Sequence, residues 1–189
     1  MKQIKDLNVT TKEGLSVKNL ERFPSMEWGD EGGLKAELWL DGNTYVGTLF
    51  QAGNGGMANF TWNANLIAET REQIKQYVFK FLMRNDKDFG PNSKYEFMRD
   101  KTPAKIDDDD IEMLIIILEE EYDARQVVNK SLKRGYKSVA RVNQGYQFKY
   151  IQYMKKGITK KEVSDYLKKN NVAYETIDIY TSNDLALAL

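Results

Sequence analysis

The sequence predicts an α+β protein: an N-terminal antiparallel β-meander, a helical middle, and a C-terminal β-hairpin followed by a helix and a strand. Three observations carry this. Apolar residues alternate through the first third; a helical period sets in near Thr70; alternation then returns around one further amphipathic helix. The change of period divides the chain into residues 1–64, an N-terminal β domain, and residues 65–189, an α+β domain with an acidic helix and a basic hairpin and helix.

In GLKAELWLDGNTYVGTLF, Leu34, Ala36, Leu38 and Leu40 alternate with Lys35, Glu37, Trp39 and Asp41, as a half-buried strand requires. A two-residue turn at Gly42 and Asn43 would set Leu40 opposite Tyr45, Leu38 opposite Gly47 and Ala36 opposite Leu49. One face is then apolar. IKDLNV and LSVKNLERF before it, and MANFTW after it, complete a meander of four or five strands.

In TREQIKQYVFKFLM, Ile74, Tyr77, Val78, Phe81 and Leu82 form one stripe, and Thr70 with Gln73 has the spacing of a capping box. A polar loop follows. The run DDDDIEMLIIILEEEYDARQVVNKSLKRG then predicts a long helix with Ile111, Leu114, Ile115, Leu118 and Tyr122 at helical spacing. Its aspartates sit at the start and Lys130, Lys133 and Arg134 at the end, as the helix dipole favours, with Gly135 as the cap.

In KSVARVNQGYQFKYIQY, a three-residue connection at Asn143, Gln144 and Gly145 would set Val142 opposite Tyr146, Ala140 opposite Phe148 and Ser138 opposite Tyr150. The other face would then gather Lys137, Arg141, Gln147 and Lys149. The next segment has the clearest helix start in the chain: Thr159 as N-cap, Glu162 closing a capping box, and Ile158 with Val163 as hydrophobic staple. That helix should end at Asn170 and Asn171. VAYETIDIY reads as a strand and SNDLALAL as an apolar tail.

The chain has neither cysteine nor histidine. Disulfides, thiolate chemistry, serine and cysteine triads and the commonest transition-metal ligand are all excluded, and the sequence points away from an enzyme. Neither a signal core nor a membrane span is readable, so a cytoplasmic protein without a membrane partner is expected, with no cofactor and no metal. The glycine loop in FQAGNGGMANFTW lacks the lysine and following helix of a nucleotide loop and reads as a turn.

Charge supplies the functional signal. The formal net charge is zero, yet residues 66–125 carry 10 basic and 15 acidic groups while residues 126–189 carry 12 and 5. The acidic run, Asp107, Asp108, Asp109, Asp110, Glu119, Glu120 and Glu121, is a candidate surface for a basic groove on a partner. Helix capping and solvation would account for the same residues. The basic run, Lys133, Arg134, Lys137, Arg141, Lys149, Lys155, Lys156, Lys160 and Lys161, interleaved with tyrosines, suits a phosphate backbone and unpaired bases, or is a merely solvated face.

The pattern A-x-L-x-L-D-G, then V-G, then G-N-G-G over residues 36–56 resembles the opening segment of small proteins encoded by phages and conjugative elements of low-GC Gram-positive bacteria. Some of that kind are inhibitors of type II CRISPR nucleases, the anti-CRISPR proteins, with a β-rich N-terminal part and a helical remainder. The resemblance implies antagonism of a host nucleic-acid-guided defence nuclease such as Cas9, through the nuclease or its guide RNA. A plain RNA- or DNA-binding accessory protein is the alternative, and a carboxylate- and Mg²⁺-dependent nuclease using residues 107–110 a second one.

Overall fold

The structure, a computed structural model, describes residues 4–23, 32–53, 57–144 and 148–181. It is α+β and comprises two compact units, one ending at Glu120 and the other running Glu121–Leu187. The division falls inside a helix. Among the described residues no helix is long and apolar enough to cross a membrane.

The first unit holds a five-stranded antiparallel meander: β1 (Ile4–Thr10), β2 (Leu15–Phe23), β3 (Gly33–Leu40), β4 (Thr44–Gln51) and β5 (Asn59–Trp62), paired in sequence order. Leu38 pairs with Gly47 and Ala36 with Leu49, as the apolar alternation requires. Leu40, however, pairs with Thr44 and not Tyr45, because the ladder slips one residue between Leu38 and Trp39. The turn is centred on Asp41 and Gly42, both at positive φ, and the slip is absorbed where Val46 and Gly47 are both buried.

The buried apolar side chains of this unit come from three sources. One sheet face supplies Leu15, Val17, Leu34, Leu38, Leu49 and Phe60. Helix α1 (Ala68–Asn85) supplies Ile74, Val78, Phe81 and Leu82 at the expected spacing. The first half of α3 (Asp108–Lys133) supplies Ile111, Leu114, Ile115 and Leu118. The capping box expected at Thr70 and Gln73 does not form: α1 begins earlier, with Ile67 at its N-cap and no side-chain cap. Ala68 and Glu69 favour the helix and its positive end, so Thr70 lies inside the first turn. Between α1 and α3 the polar segment folds into a short helix α2 (Glu96–Arg99) and a 3₁₀ turn (Pro103–Lys105).

In the second unit, β6 (Ser138–Asn143) is the central strand between β7 (Phe148–Tyr153) and β8 (Thr176–Tyr180), all antiparallel. Helix α4 (Lys160–Lys169) packs Val163 and Leu167 against Ala140, Val142 and Ile177, with Ile151 and Ile179 partly buried beside them. The opposite face carries Val139 and Tyr180 against Val128 of α3. A three-stranded sheet is thus covered on both faces.

The hairpin register expected for β6 and β7 is overturned. Ala140 pairs with Ile151, Arg141 with Tyr150, and Ser138 with Tyr153. The shift from the expected pairing is three residues, an odd number, so it exchanges the faces of β7. The aliphatic set Ala140, Val142 and Ile151 is what α4 buries, and that burial selects the register over the aromatic alternation. Gly145, Tyr146 and Gln147 lie outside the described residues, as do residues 54–56 of the glycine loop and the tail 182–189.

Candidate nucleic-acid interface

Seven of the nine basic candidates meet at one end of the second unit. Helix α3 closes there with Gly135 at φ +96°: the Gly135 amide donates to Leu132 O at 3.0 Å and the Tyr136 amide to Ser131 O at 3.3 Å. This is the Schellman pattern, and it leaves Lys133 and Arg134 exposed at the helix end. Lys137 follows at once, its amide donating to Tyr153 O at 2.8 Å. The Ser138 hydroxyl then donates to Lys155 O at 3.1 Å, which brings the end of β7 beside the start of β6.

From Lys155 the chain runs through Lys156 and Gly157 into α4, whose first residues are Lys160 and Lys161. The capping box forms as expected: the Thr159 hydroxyl accepts from the Glu162 amide at 3.2 Å, and the Glu162 carboxylate accepts from the Thr159 amide at 2.8 Å. Glu162 also accepts from Lys155 Nζ at 2.6 Å. That hydrogen bond, with those from the Thr159 amide and hydroxyl, holds its pKa down to about 2. Lys133, Arg134, Lys137, Lys156, Lys160 and Lys161 are all exposed and make no ion pair among the described residues.

Arg141 and Lys149 stand apart from this end and from each other. The expected basic hairpin face does not form, because the register places them on opposite faces of the sheet. Arg141 lies under α3, its Nη2 3.2 Å from Asp178 and its Nη1 3.6 Å from Glu121, with its guanidinium 5.0 Å from the Phe148 ring centre. Burial alone would lower its pKa; Tyr180, Asp178 and Glu121 more than offset this and raise it. Lys149 is exposed on the α4 side of β7, opposite Val142.

The acidic candidates are mostly turned inward. Asp107 and Asp110 cap α3 reciprocally, each accepting from the other's amide, and both hold Lys101 Nζ at 2.6 Å. Burial would raise the Asp107 pKa, but the bonds from Lys101 and the Asp110 amide bring it below its ordinary value; at the more buried Asp110 burial wins and raises it. Asp108 accepts from the Phe60 amide at 2.9 Å and so ties β5 to α3. Glu119 accepts two hydrogen bonds from Arg22, and Glu121 accepts from Arg125 and Tyr180. Asp107, Asp109 and Glu120 remain at the surface.

Asp107 and Asp110 converge on Lys101 while Asp108 turns to the Phe60 amide, and among the described residues no three acidic side chains are grouped to hold a metal ion. What the arrangement offers chemically is a solvent-facing group of cations in which the Glu162 carboxylate is already engaged by Lys155. Such a cluster draws a polyanion by neutralising phosphates and releasing their counterions. No protein-family model matches this chain, no curated protein matches its sequence, and no solved structure matches its fold.

Sequence reasoning found the basic run but not its focus, nor Tyr166, an exposed aromatic on α4. Val163, Tyr166 and Leu167 fall at i, i+3 and i+4, so helical spacing by itself places Tyr166 on the buried stripe and gives no signal of its exposure.

Proposed function

We propose that this protein binds nucleic acid through the basic end of its second unit and, in the narrower reading, that it antagonises a host nucleic-acid-guided defence nuclease by engaging the guide RNA there. One observation supports the binding: the turn after α3, the end of β7 and the start of α4 bring seven cations to one end of the sheet, where the Glu162 carboxylate is engaged by Lys155. A solvated surface would scatter its cations or alternate them with acids.

The narrower reading draws on the resemblance of residues 36–56 to phage and mobile-element proteins. Of its two physical routes, the basic one is favoured. The acidic helix spends Asp107, Asp108, Asp110, Glu119 and Glu121 on internal hydrogen bonds, and little is left to fill a partner's basic groove.

A pull-down from bacterial cells, with protein and nucleic acid both identified, separates the readings. Recovery of a nuclease together with its guide RNA supports antagonism. Recovery of RNA alone, released by moderate salt, leaves an accessory nucleic-acid-binding protein. Recovery of neither removes the proposal.

A further inference from the structure

The basic end continues along the edge between β7 and α4. The register turns Lys149, Ile151 and Tyr153 to the α4 side of β7, opposite Val142, Ala140 and Ser138. Helix α4 begins at the basic end, beside Lys155, and finishes with Lys168 and Lys169; the chain then returns so that the Glu175 amide donates to Asn143 O at 2.8 Å, at the other end of the sheet. Lys149 lies toward that same far end of β7. Lys149, Lys168 and Lys169 are exposed and unpaired among the described residues. Cations therefore mark both ends of the edge.

Between them lies Tyr166, 49% exposed on the helix whose Val163 and Leu167 are buried. It stands one helical turn after Glu162, the residue bonded to Lys155, and one turn before Lys169 and Asn170. Its neighbour across the gap is Tyr153, whose hydroxyl is buried with no hydrogen-bond partner among the described residues. Burial, with Tyr166 and Glu162 nearby, raises the Tyr153 pKa, so that ring stays neutral in ordinary buffers. The acids of this edge are Glu162, already engaged, and Asp165.

An exposed ring set between two groups of cations is the arrangement by which proteins hold unpaired nucleotides: the cations follow the backbone and the ring takes a base face. A duplex hides its base faces and gains nothing from such a ring. We propose that the α4–β7 edge is the track of a single nucleic-acid strand, with Tyr166 stacking on one unpaired base between the basic end and Lys149. This rests on the nucleic-acid reading above and specifies its ligand as single-stranded.

The test is fluorescence anisotropy with a short labelled oligouridine and a blunt RNA duplex of equal length. The single strand should bind more tightly than the duplex. Tyr166→Ala should weaken the single strand about tenfold, leave the duplex unchanged and leave the melting temperature intact, whereas Tyr166→Phe should bind as the parent does. Equal affinity for strand and duplex, or a Tyr166→Ala variant that holds the strand as the parent does, would overturn the track. If reversing Lys133, Arg134, Lys137 and Lys156 to Glu abolishes binding while Tyr166→Ala does not, the track fails and the nucleic-acid reading stands. If neither oligonucleotide binds the parent protein, both fail.

Discussion

The Tyr180 hydroxyl donates to the Glu121 carboxylate at 3.0 Å, joining the last strand to α3 at a site where both side chains are buried. The same carboxylate accepts from Arg125 Nε at 2.9 Å and faces Arg141 at 3.6 Å, and Arg141 in turn reaches Asp178. Glu121 is thus the centre of a buried polar group whose charges balance. Its removal would leave the Arg141 cation short of a partner in a poorly solvated place.

Glu121→Ala should therefore lower stability by about 3 kcal/mol, the range typical of breaking a buried ion pair from one side. Replacing both partners, Glu121→Leu with Arg141→Met, should cost less, because the buried Arg141 cation is removed together with its carboxylate, and Asp178, which then loses Arg141, is partly exposed to water. Urea denaturation of the parent and both variants checks this. A double variant as unstable as Glu121→Ala would show that packing, not charge, governs the site.

Stability should also fall at acid pH through Glu162. Its folded pKa, about 2, lies below the ordinary glutamate value of 4.5 because Lys155 and Thr159 bond the charged form. The unfolded chain therefore takes up this proton first as pH falls, and folding loses the benefit between the two values. Thermal melts should show the parent exceeding Glu162→Gln at neutral pH, with the gap closing from about pH 5 toward pH 2. A gap constant over that span would assign the capping box no charged contribution.

Gly47 is held to glycine by close packing. A Cβ there would lie 2.5 Å from Thr61 O and 2.6 Å from Phe60 Cζ, where β4 and β5 pair, and the first of these atoms belongs to the backbone. Gly47→Ala should cost about 2 kcal/mol, as overpacking of a filled core does. Gly42→Ala, which meets no atom within 4 Å, should suffer only the strain of its φ of +71°. Chemical denaturation of the pair separates the two effects.

Binding should respond to the basic end and not to the acidic helix. Reversing Lys133, Arg134 and Lys137 should reduce affinity for RNA and lower the slope of log affinity against log salt by about 0.7 for each phosphate no longer neutralised. Reversing Asp109 to Lys should leave binding unchanged or slightly stronger. Titrations at several salt concentrations check both.

The β3–β4 hairpin was legible because one strand alternates cleanly and one face must be buried, which leaves few registers open. Helix α4 was legible for a local reason: Thr159 and Glu162 satisfy each other's backbone groups within a single turn, and that pattern is written in adjacent residues. The β6–β7 register was not. Both faces of that sheet are covered, so alternation within the hairpin could be satisfied two ways, and the choice was made by Val163 and Leu167 from elsewhere in the chain.

The same division runs through the candidate site. Composition alone determined that histidine and cysteine chemistry is excluded and that the positive charge gathers after residue 125. Which charges remain available was decided by tertiary structure. Arg141 is taken up by Glu121 and Asp178, Asp110 by Lys101, and Glu119 by Arg22, in each case by a partner distant along the chain or brought in by a turn. A run of charges in a sequence records only their density. Desolvation makes a buried charge find its partner, and whichever cations that pairing leaves at the end of the sheet are the ones free to meet a phosphate.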